Sequence, residues 1–252
     1  MKIVFCTAHG AFSQDSYFRD LLPRLKARGH AVELAAIRAG ARRTPRKVRV
    51  LLRLLGWGNV LQGALASFLY ARAGINGLLR DTGVTWRGFP SVNGAEFRTH
   101  IREMGADLVI NNQSEFFKAE TLALPRHGVL NIHLGDLPDY RSYLPTYWAM
   151  MDGRTSFGVS AHFMVETIDA GDLAGKRLID GTGLAMLDIM AALNREAVDL
   201  VLEVVDRLAE GQRPGEPMPQ RPYRPLPTLD EAAEFHRRGL KVGRMTWRSR
   251  TP

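Results

Sequence analysis

Asn131 and His133 stand two residues apart in the run Gly128-Val-Leu-Asn-Ile-His133, and Asp169 follows downstream in Glu166-Thr-Ile-Asp-Ala-Gly171. The first run is apolar and β-prone until its polar end, so it reads as a buried strand. Side chains alternate along a strand, which puts Asn131 and His133 on one face. One is a neutral amide donor and the other a titratable imidazole. An amide, an imidazole and a carboxylate suit attack on an acyl carbon. The amide and a protonated imidazole can hold an oxyanion, while the carboxylate fixes the imidazole's charge or relays a proton. Taken alone, Asn-x-His also fits an incidental pair, and an Asp before Ala-Gly also fits a turn.

The elements that must position these residues read as a βαβ series. Lys2 to Thr7 is a short apolar strand, followed by a helix from about Gln14 to Arg28 with Phe18, Leu21, Leu22 and Leu25 at helical spacing. Pro23 lies within that helix, where it removes one donor. His30 to Ile37, Val84 to Phe89, Asp107 to Asn111 and Gly128 to His133 read as further strands. A helix over Ala95 to Met104, ended by Gly105, and a helical turn over Lys118 to Leu122 separate them. Phe157 to Met164 is strand-like, and Leu184 to Leu208 is an amphipathic helix. The expected fold class is therefore α/β, a Rossmann-like open and mostly parallel sheet flanked by helices. Ligands bind such sheets at the carboxyl ends of the strands, where Asn131 and His133 fall.

Arg46 to Leu79 is predicted as one or two helices interrupted near Gly56-Trp57-Gly58, with Val48, Leu51, Leu52 and Leu55 on one apolar face. It suits packing on the sheet or on another subunit better than lying on a membrane. After Gly211, six prolines between Pro214 and Pro227 mark a Pro-rich C-terminal extension, with a short helix near Leu229 to Arg238. The expected division is a principal domain over 1–211 and an arm over 212–252.

With 252 residues, 45% of them hydrophobic and 24% charged, the chain can build one sizeable α/β domain with an appendage. Its single cysteine, Cys6, excludes an internal disulfide framework and a multi-cysteine zinc site. A reducing, cytoplasmic setting fits, and neither a signal peptide nor a membrane span is expected. The net charge of +8 owes much to Arg38, Arg42, Arg43, Arg46, Lys47, Arg49 and Arg53. Such a field attracts nucleic acid, an anionic membrane or a phosphorylated small molecule, and it also fits a solvated basic face.

Gly128-Val-Leu-Asn-Ile-His-Leu-Gly-Asp-Leu-Pro-Asp-Tyr-Arg141, with Pro145 and Trp148-Ala149 beyond it, resembles the central motif of the folate-dependent formyltransferases. Phe157-Gly-Val-Ser-Ala-His-Phe-Met-Val-Glu-Thr-Ile-Asp-Ala-Gly171 resembles that family's second motif, and Pro90-Ser91-Val92-Asn93 and Ala106 to Val109 lie where similar segments fall. The resemblance covers roughly Lys2 to Gly211. It implies that Asn131, His133 and Asp169 are the catalytic residues and that 10-formyltetrahydrofolate is the co-substrate, with no metal. Asn112, Gln113, Leu137, Ile168 and Gly171 would then bind the folate, and His9, Asp136, Tyr140 and Arg141 the acceptor. The implied acceptor is a small amine, expected to be anionic, such as a nucleotide-linked amino sugar. Glycinamide ribonucleotide, another metabolic amine, or a non-catalytic binding module are the alternatives.

Several positions depart from the family's pattern. Leu134-Gly135-Asp136-Leu137 replaces its usual Ser-Leu-Leu, and Asp136 either pairs with a cationic amine or caps a turn. Asn111-Asn112-Gln113-Ser114 is more polar than the usual segment near the folate, and His162 fits a structural or a functional role. Ala8 to Asp15 lacks a Gly-Ser-rich phosphate loop. The tail is too short for the β-barrel of tRNA-directed members, so tRNA is not the expected acceptor; a homodimer is left open.

Overall fold

Ile3 and Phe5 turn one way from the first strand and Val4 and Cys6 turn the other, and all four are wholly buried. A strand with two dry faces must lie between two layers of helix, and the computed structural model shows that arrangement. It describes residues 1–8, 15–38, 44–79 and 82–244. His9, Gln14, Arg42 and Arg43 lie outside the described residues.

In chain order the elements are β1 (Lys2–Ala8), α1 (Asp15–Ala27), β2 (Ala31–Ile37), α2 (Pro45–Leu79), β3 (Thr85–Phe89), α3 (Ala95–Met104), β4 (Leu108–Asn112) and α4 (Ala119–Leu122). They continue with β5 (Val129–His133), α5 (Pro145–Met151), β6 (Ser156–Phe163), β7 (Asp172–Asp180), α6 (Met186–Ala209), β8 (Glu216–Pro217) and α7 (Leu229–Arg237). The strands form one sheet in the order β3-β2-β1-β4-β5-β6-β7-β8. The five strands from β3 to β5 are parallel, and β6, β7 and β8 join antiparallel. The α/β, Rossmann-like sheet expected from the sequence is thus present.

The two faces have separate cores. Ile3, Phe5, Leu108, Ile110 and Leu130 pack with Leu21, Leu22 and Leu25 of α1 and with the apolar side of α6. Val4, Cys6, Val109 and Val129 pack with Phe97 and Ile101 of α3. Full burial of one such side chain is worth about 1.5–3 kcal/mol, so both layers hold the middle of the sheet rigid. α1 runs through Pro23, because its three leucines are all anchored in the core.

Of the one or two helices expected over Arg46 to Leu79, the structure has one, α2, and the interruption near Gly56-Trp57-Gly58 survives as a distortion, with Gly56 at φ 76°. Two expectations need correction. The inward face of α2 is Val50 and Leu54, both wholly buried, whereas Val48 of the expected face is exposed. Trp57, Leu61 and Leu65 line up at four-residue spacing on the outside. Finally, α5 and β7 were not foreseen: in Asp172–Asp180 the exposed Lys176, Leu178 and Asp180 alternate with the less exposed Arg177 and Ile179, a mixed pattern that reads as loop without its partner strands.

The Pro-rich segment returns to the body of the molecule. Thr228 and Glu231 form a capping box that starts α7. Ala232 and Phe235 are then wholly buried, with the Phe235 ring stacked on Tyr147 of α5 at 5.4 Å. The carbonyls of Lys241 and Val242 accept from Met186 N and Leu187 N, closing the start of α6.

Candidate active site

Asn111, Asn131 and His162 are in register on three neighbouring strands, β4, β5 and β6, so their side chains form a row across one face of the sheet. Asn111 Nδ2 donates to Asn131 Oδ1 at 2.9 Å, and Asn131 Nδ2 lies 3.0 Å from His162 Nε2. His162 Nδ1 lies 3.0 Å from the carbonyl of Ala170. That carbonyl can only accept, so Nδ1 carries a proton. Burial lowers the His162 pKa to about 4, assisted by the nearby His133, and the ring is neutral with a lone pair on Nε2. Asn131 therefore turns its nitrogen to His162 and its oxygen to Asn111, an orientation assigned from these partners. One N–H of Asn131 is left over in a partly buried position.

His133, two residues further along β5, projects from the same face. Its Nε2 donates to the carbonyl of Tyr140 at 2.8 Å, and its Nδ1 stands 3.5 Å from Asp169 Oδ1. Both ring nitrogens face acceptors, which a protonated ring with two donors satisfies. The 3.5 Å gap exceeds a normal hydrogen bond, so Nδ1 can also turn to a substrate oxygen. The structure thus brings the three expected catalytic residues together: Asn131, His133 and Asp169.

The loop after β6 folds back to deliver Asp169. Among the described residues Asp169 is the one non-glycine with positive φ, 45°. Such a conformation persists when its surroundings over-determine it. Here the carbonyls on either side are both held: Ile168 O accepts from Arg141 Nη2, and Ala170 O accepts from His162. Arg141 is buried, and its Nη1 reaches the carbonyl of Arg221 in the C-terminal arm.

The expected binding residues distribute unevenly. Ile168 and Gly171 lie on the Asp169 loop, and Asn112 and Gln113 lie on the loop after β4, where Gln113 Nε2 donates to Glu115 O. The two loops meet where Ala119 N donates to Glu166 Oε1 at 3.3 Å. Leu137 is wholly buried and presents no surface to a ligand; its N–H donates to Ser160 Oγ. Asp136 pairs with Lys176 Nζ at 2.7 Å, so its charge is already met within the protein. Tyr140 serves the site through its carbonyl, while its hydroxyl binds Asp152 and Arg154. His9 lies outside the described residues.

Sequence reasoning missed Asn111 as the partner of Asn131, and it missed Phe116 and Val165, which stand 62% and 45% exposed on the two loops beside Ile168 at 38%. Large apolar residues at the ends of polar loop segments were the available signal. Cys6 plays no chemical part: burial pushes its thiol pKa far up, with the Glu115 carboxylate adding to the effect.

A consequence of the neutral His162 is pH-linked stability. Its folded pKa, about 4, lies below the ordinary 6.5, so in acid the unfolded chain takes up the proton first. Stability is expected to be level above about pH 6.5 and to fall by about 3 kcal/mol as pH drops toward about 4. Urea denaturation at pH 7.5 and 4.5 measures the loss, and His162→Asn should remove most of it. An acid loss equal in the wild type and the variant would assign the effect elsewhere.

A family model described as formyl transferase matches residues 89–201. A methionyl-tRNA formyltransferase of Listeria welshimeri is 37% identical over 97 residues, covering 36% of this chain and 31% of its own length. Another, from Geobacter metallireducens, is 33% identical over 125 residues, covering 48% and 39%. The match therefore spans less than two fifths of the length of these curated relatives. Among solved structures, a sugar N-formyltransferase of a Shewanella species superposes with a TM-score of 0.59 at 16% identity, covering 90% of this chain and 77% of that one. Glycinamide ribonucleotide transformylase 1 of Symbiobacterium toebii superposes with the same TM-score and identity, covering 87% and 94%. At that identity the two structures show a shared fold.

Proposed function

We propose, from the match of residues 89–201 to the formyl transferase family model, that this chain moves a formyl group from 10-formyltetrahydrofolate to a primary amine of a small, phosphate-bearing acceptor such as a nucleotide-linked amino sugar. The observation that carries this reading is the fixed amide of Asn131. Its oxygen is engaged by Asn111, one N–H is engaged by His162, and the other is left over on the strand that carries His133, which in turn faces Asp169. A donor oriented before substrate arrives needs no reorganisation when negative charge develops.

The residues divide the work as follows. The acceptor attacks as a neutral amine, and its nitrogen bonds to the formyl carbon while the carbonyl electrons move onto oxygen. The spare N–H of Asn131 and the Nδ1–H of protonated His133 receive that oxygen. Asp169 takes the proton that the amine must lose. The folate nitrogen regains one proton as its bond to the formyl carbon breaks, so the formyl group and one hydrogen exchange places. Phe116, Val165 and Ile168 offer apolar surface to a flat ring, with Asn112, Gln113 and Gly171 on the same two loops for its polar edge. Catalysis rests in this reading on residues 1–211, with the Pro-rich arm from 212 onward laid against them.

Two features support an anionic acceptor. The start of α2 brings part of the basic segment beside the loop that follows His133, where Lys47 Nζ lies 3.9 Å from the Tyr143 ring centroid. Sugar N-formyltransferases are also among the proteins that share the fold. The test is release of tetrahydrofolate followed against nucleotide-linked amino sugars, glycinamide ribonucleotide, methionyl-tRNA and water. Amine-dependent release, highest with a nucleotide-linked amino sugar, is expected. Methionyl-tRNA is included because the curated relatives carry that name; faster turnover on it would replace the small acceptor. Release with water alone, or none, would overturn transfer to an amine.

A further inference from the structure

The two sides of α2 answer to different chemistry. Toward the protein, Val50 and Leu54 meet the expectation of packing on the body of the molecule. On the outside, Arg46, Arg49 and Arg53 stand exposed before the distortion at Gly56. After it come Trp57, Leu61 and Leu65, which are 76%, 70% and 55% exposed. A helix lying on a globular protein normally turns charged residues to water. Here the chain has no charged residue from Leu54 to Ala71, and α2 has no acidic residue at any position. Water is a poor partner for that second half, and three large apolar side chains at four-residue spacing mark a contact surface.

The charge around this surface selects the partner. His236 Nε2, in the last turn of α7, donates to Leu54 O at 3.0 Å, with Arg237 exposed beside it in sequence. Asn59 Nδ2 donates to Gly243 O at 3.0 Å, so the C-terminal stretch reaches α2 two residues from Trp57. From Lys241 onward the sequence adds Lys241, Arg244, Arg248 and Arg250, and no acid. A second copy of this helix would bring arginines onto arginines or onto uncharged residues, with no carboxylate in α2 to receive them. A nucleic-acid backbone would satisfy the arginines and leave the leucines in water. Anionic phospholipid supplies phosphate oxygens and hydrocarbon side by side. Tryptophan settles at that boundary, and long basic side chains reach the headgroups. Among the described residues no helix is long and apolar enough to cross a membrane, so the contact is with its surface.

We propose that the outer side of α2 docks this protein on an anionic lipid surface, with Trp57, Leu61 and Leu65 entering the interface and Arg46, Arg49 and Arg53 on the phosphates. The docking face includes none of Asn131, His133 and Asp169, so it stands apart from the formyl-transfer reading and from the identity of the acceptor.

The test is sedimentation of the full chain with sucrose-loaded vesicles, one set of phosphatidylcholine alone and one with about a third phosphatidylglycerol. Binding to the anionic set should be tighter by about tenfold or more and should weaken as sodium chloride is raised. Trp57→Ala/Leu61→Ser should weaken it about tenfold or more, and Arg49→Gln/Arg53→Gln about as much while flattening the salt dependence. Both variants change exposed side chains and should keep the circular dichroism of the wild type and its rate of folate release in solution. Wild type that stays in the supernatant with both vesicle sets overturns the docking, as does Trp57→Ala/Leu61→Ser that binds as tightly as wild type. Light scattering and a tRNA retardation assay cover the other occupants. Without vesicle binding, a dimer lost in Trp57→Ala/Leu61→Ser gives the face to a second copy, and tRNA binding gives it to nucleic acid; either result overturns the lipid assignment. Absence of folate release in a wild type that binds anionic vesicles would strike the formyl-transfer reading and support the docking.

Discussion

Replacing Asn131 with alanine is expected to lower turnover about 10²–10³-fold while binding of 5-formyltetrahydrofolate changes little. The change deletes one donor to the developing oxyanion, and one such donor is worth about 2.7–4 kcal/mol in the transition state. The loss should therefore appear in kcat and in kcat/KM alike, since the interaction is absent from the ground state. His133→Ala and Asp169→Ala should each cost at least as much, because the first also deletes a charge and the second the acceptor of the amine's proton. The double variant Asn131→Ala/His133→Ala should lose far less than the product of the single losses, since both side chains serve one oxygen. Asn111→Ala provides a graded control. It leaves the Asn131 amide in place but removes the donor that fixes its oxygen, so about a tenfold loss in kcat is expected, with the fold intact by circular dichroism. Initial rates of folate release measure all of these, and near-normal rates for Asn131→Ala would remove this residue from the chemistry.

The unequal legibility of these residues has a physical basis. Asn131 and His133 could be placed on one face from the period of a strand, because that relation is local. Their partners could not. Asn111 and His162 reach Asn131 through the registers Asn111↔Asn131 and Asn131↔His162, one parallel and one antiparallel. Register depends on how separate strands align, which the alternation of any one strand leaves open. The same limit hid β7, a half-exposed strand whose pattern becomes clear only beside β6. It also misplaced the buried face of α2, where basic and apolar residues mix around the helix and the packing partners of Leu54 come from distant segments. Arg224 is the extreme case. It bridges Ser142 of the loop after β5 across a long stretch of chain, and the prolines around it predicted only an extended arm.

The departure at Asp136 shows the converse, a residue whose type suggested chemistry and whose surroundings remove it. An acidic side chain close to a catalytic histidine offers a site for a cationic amine. Lys176 of β7 already supplies the cation at 2.7 Å, and Gly158 packs so closely that an added Cβ would stand 2.8 Å from the Asp136 side chain. With no side chain at position 158, the loop from Leu134 to Leu137 can lie flat on β6. The altered loop thus keeps the backbone path that lets Tyr140 O receive His133.

Gly171→Ala is expected to destabilise the fold by about 3–5 kcal/mol, in the range reserved for cavity, strain and backbone clashes. Two effects combine there. Gly171 has φ 99°, a region that side chains rarely enter, and a Cβ at that position would stand 2.1 Å from the carbonyl oxygen of Phe163 and 3.4 Å from Val165 Cγ1. Backbone oxygen cannot rotate away as a side chain would, so the loop itself must move by more than an atom's tolerance. The movement would not stay local. Ala170 O, the adjacent carbonyl, receives His162, and His162 in turn sets the amide of Asn131. Asp169 lies two residues away in its own left-handed conformation. Folded Gly171→Ala should accordingly lose activity beyond what its stability loss explains, and its acid sensitivity should change because His162 loses the carbonyl that holds its proton. Gly153→Ala separates the two effects, since Gly153 has φ 72° and no atom within 4 Å of an added Cβ. That variant should cost only the backbone term, about 1–2 kcal/mol. Urea midpoints for both, at constant m-value, make the comparison. A Gly171→Ala loss no larger than that of Gly153→Ala would mean that the loop does not approach β6 this closely, and the rigid delivery of Asp169 would have to come from Arg141 alone.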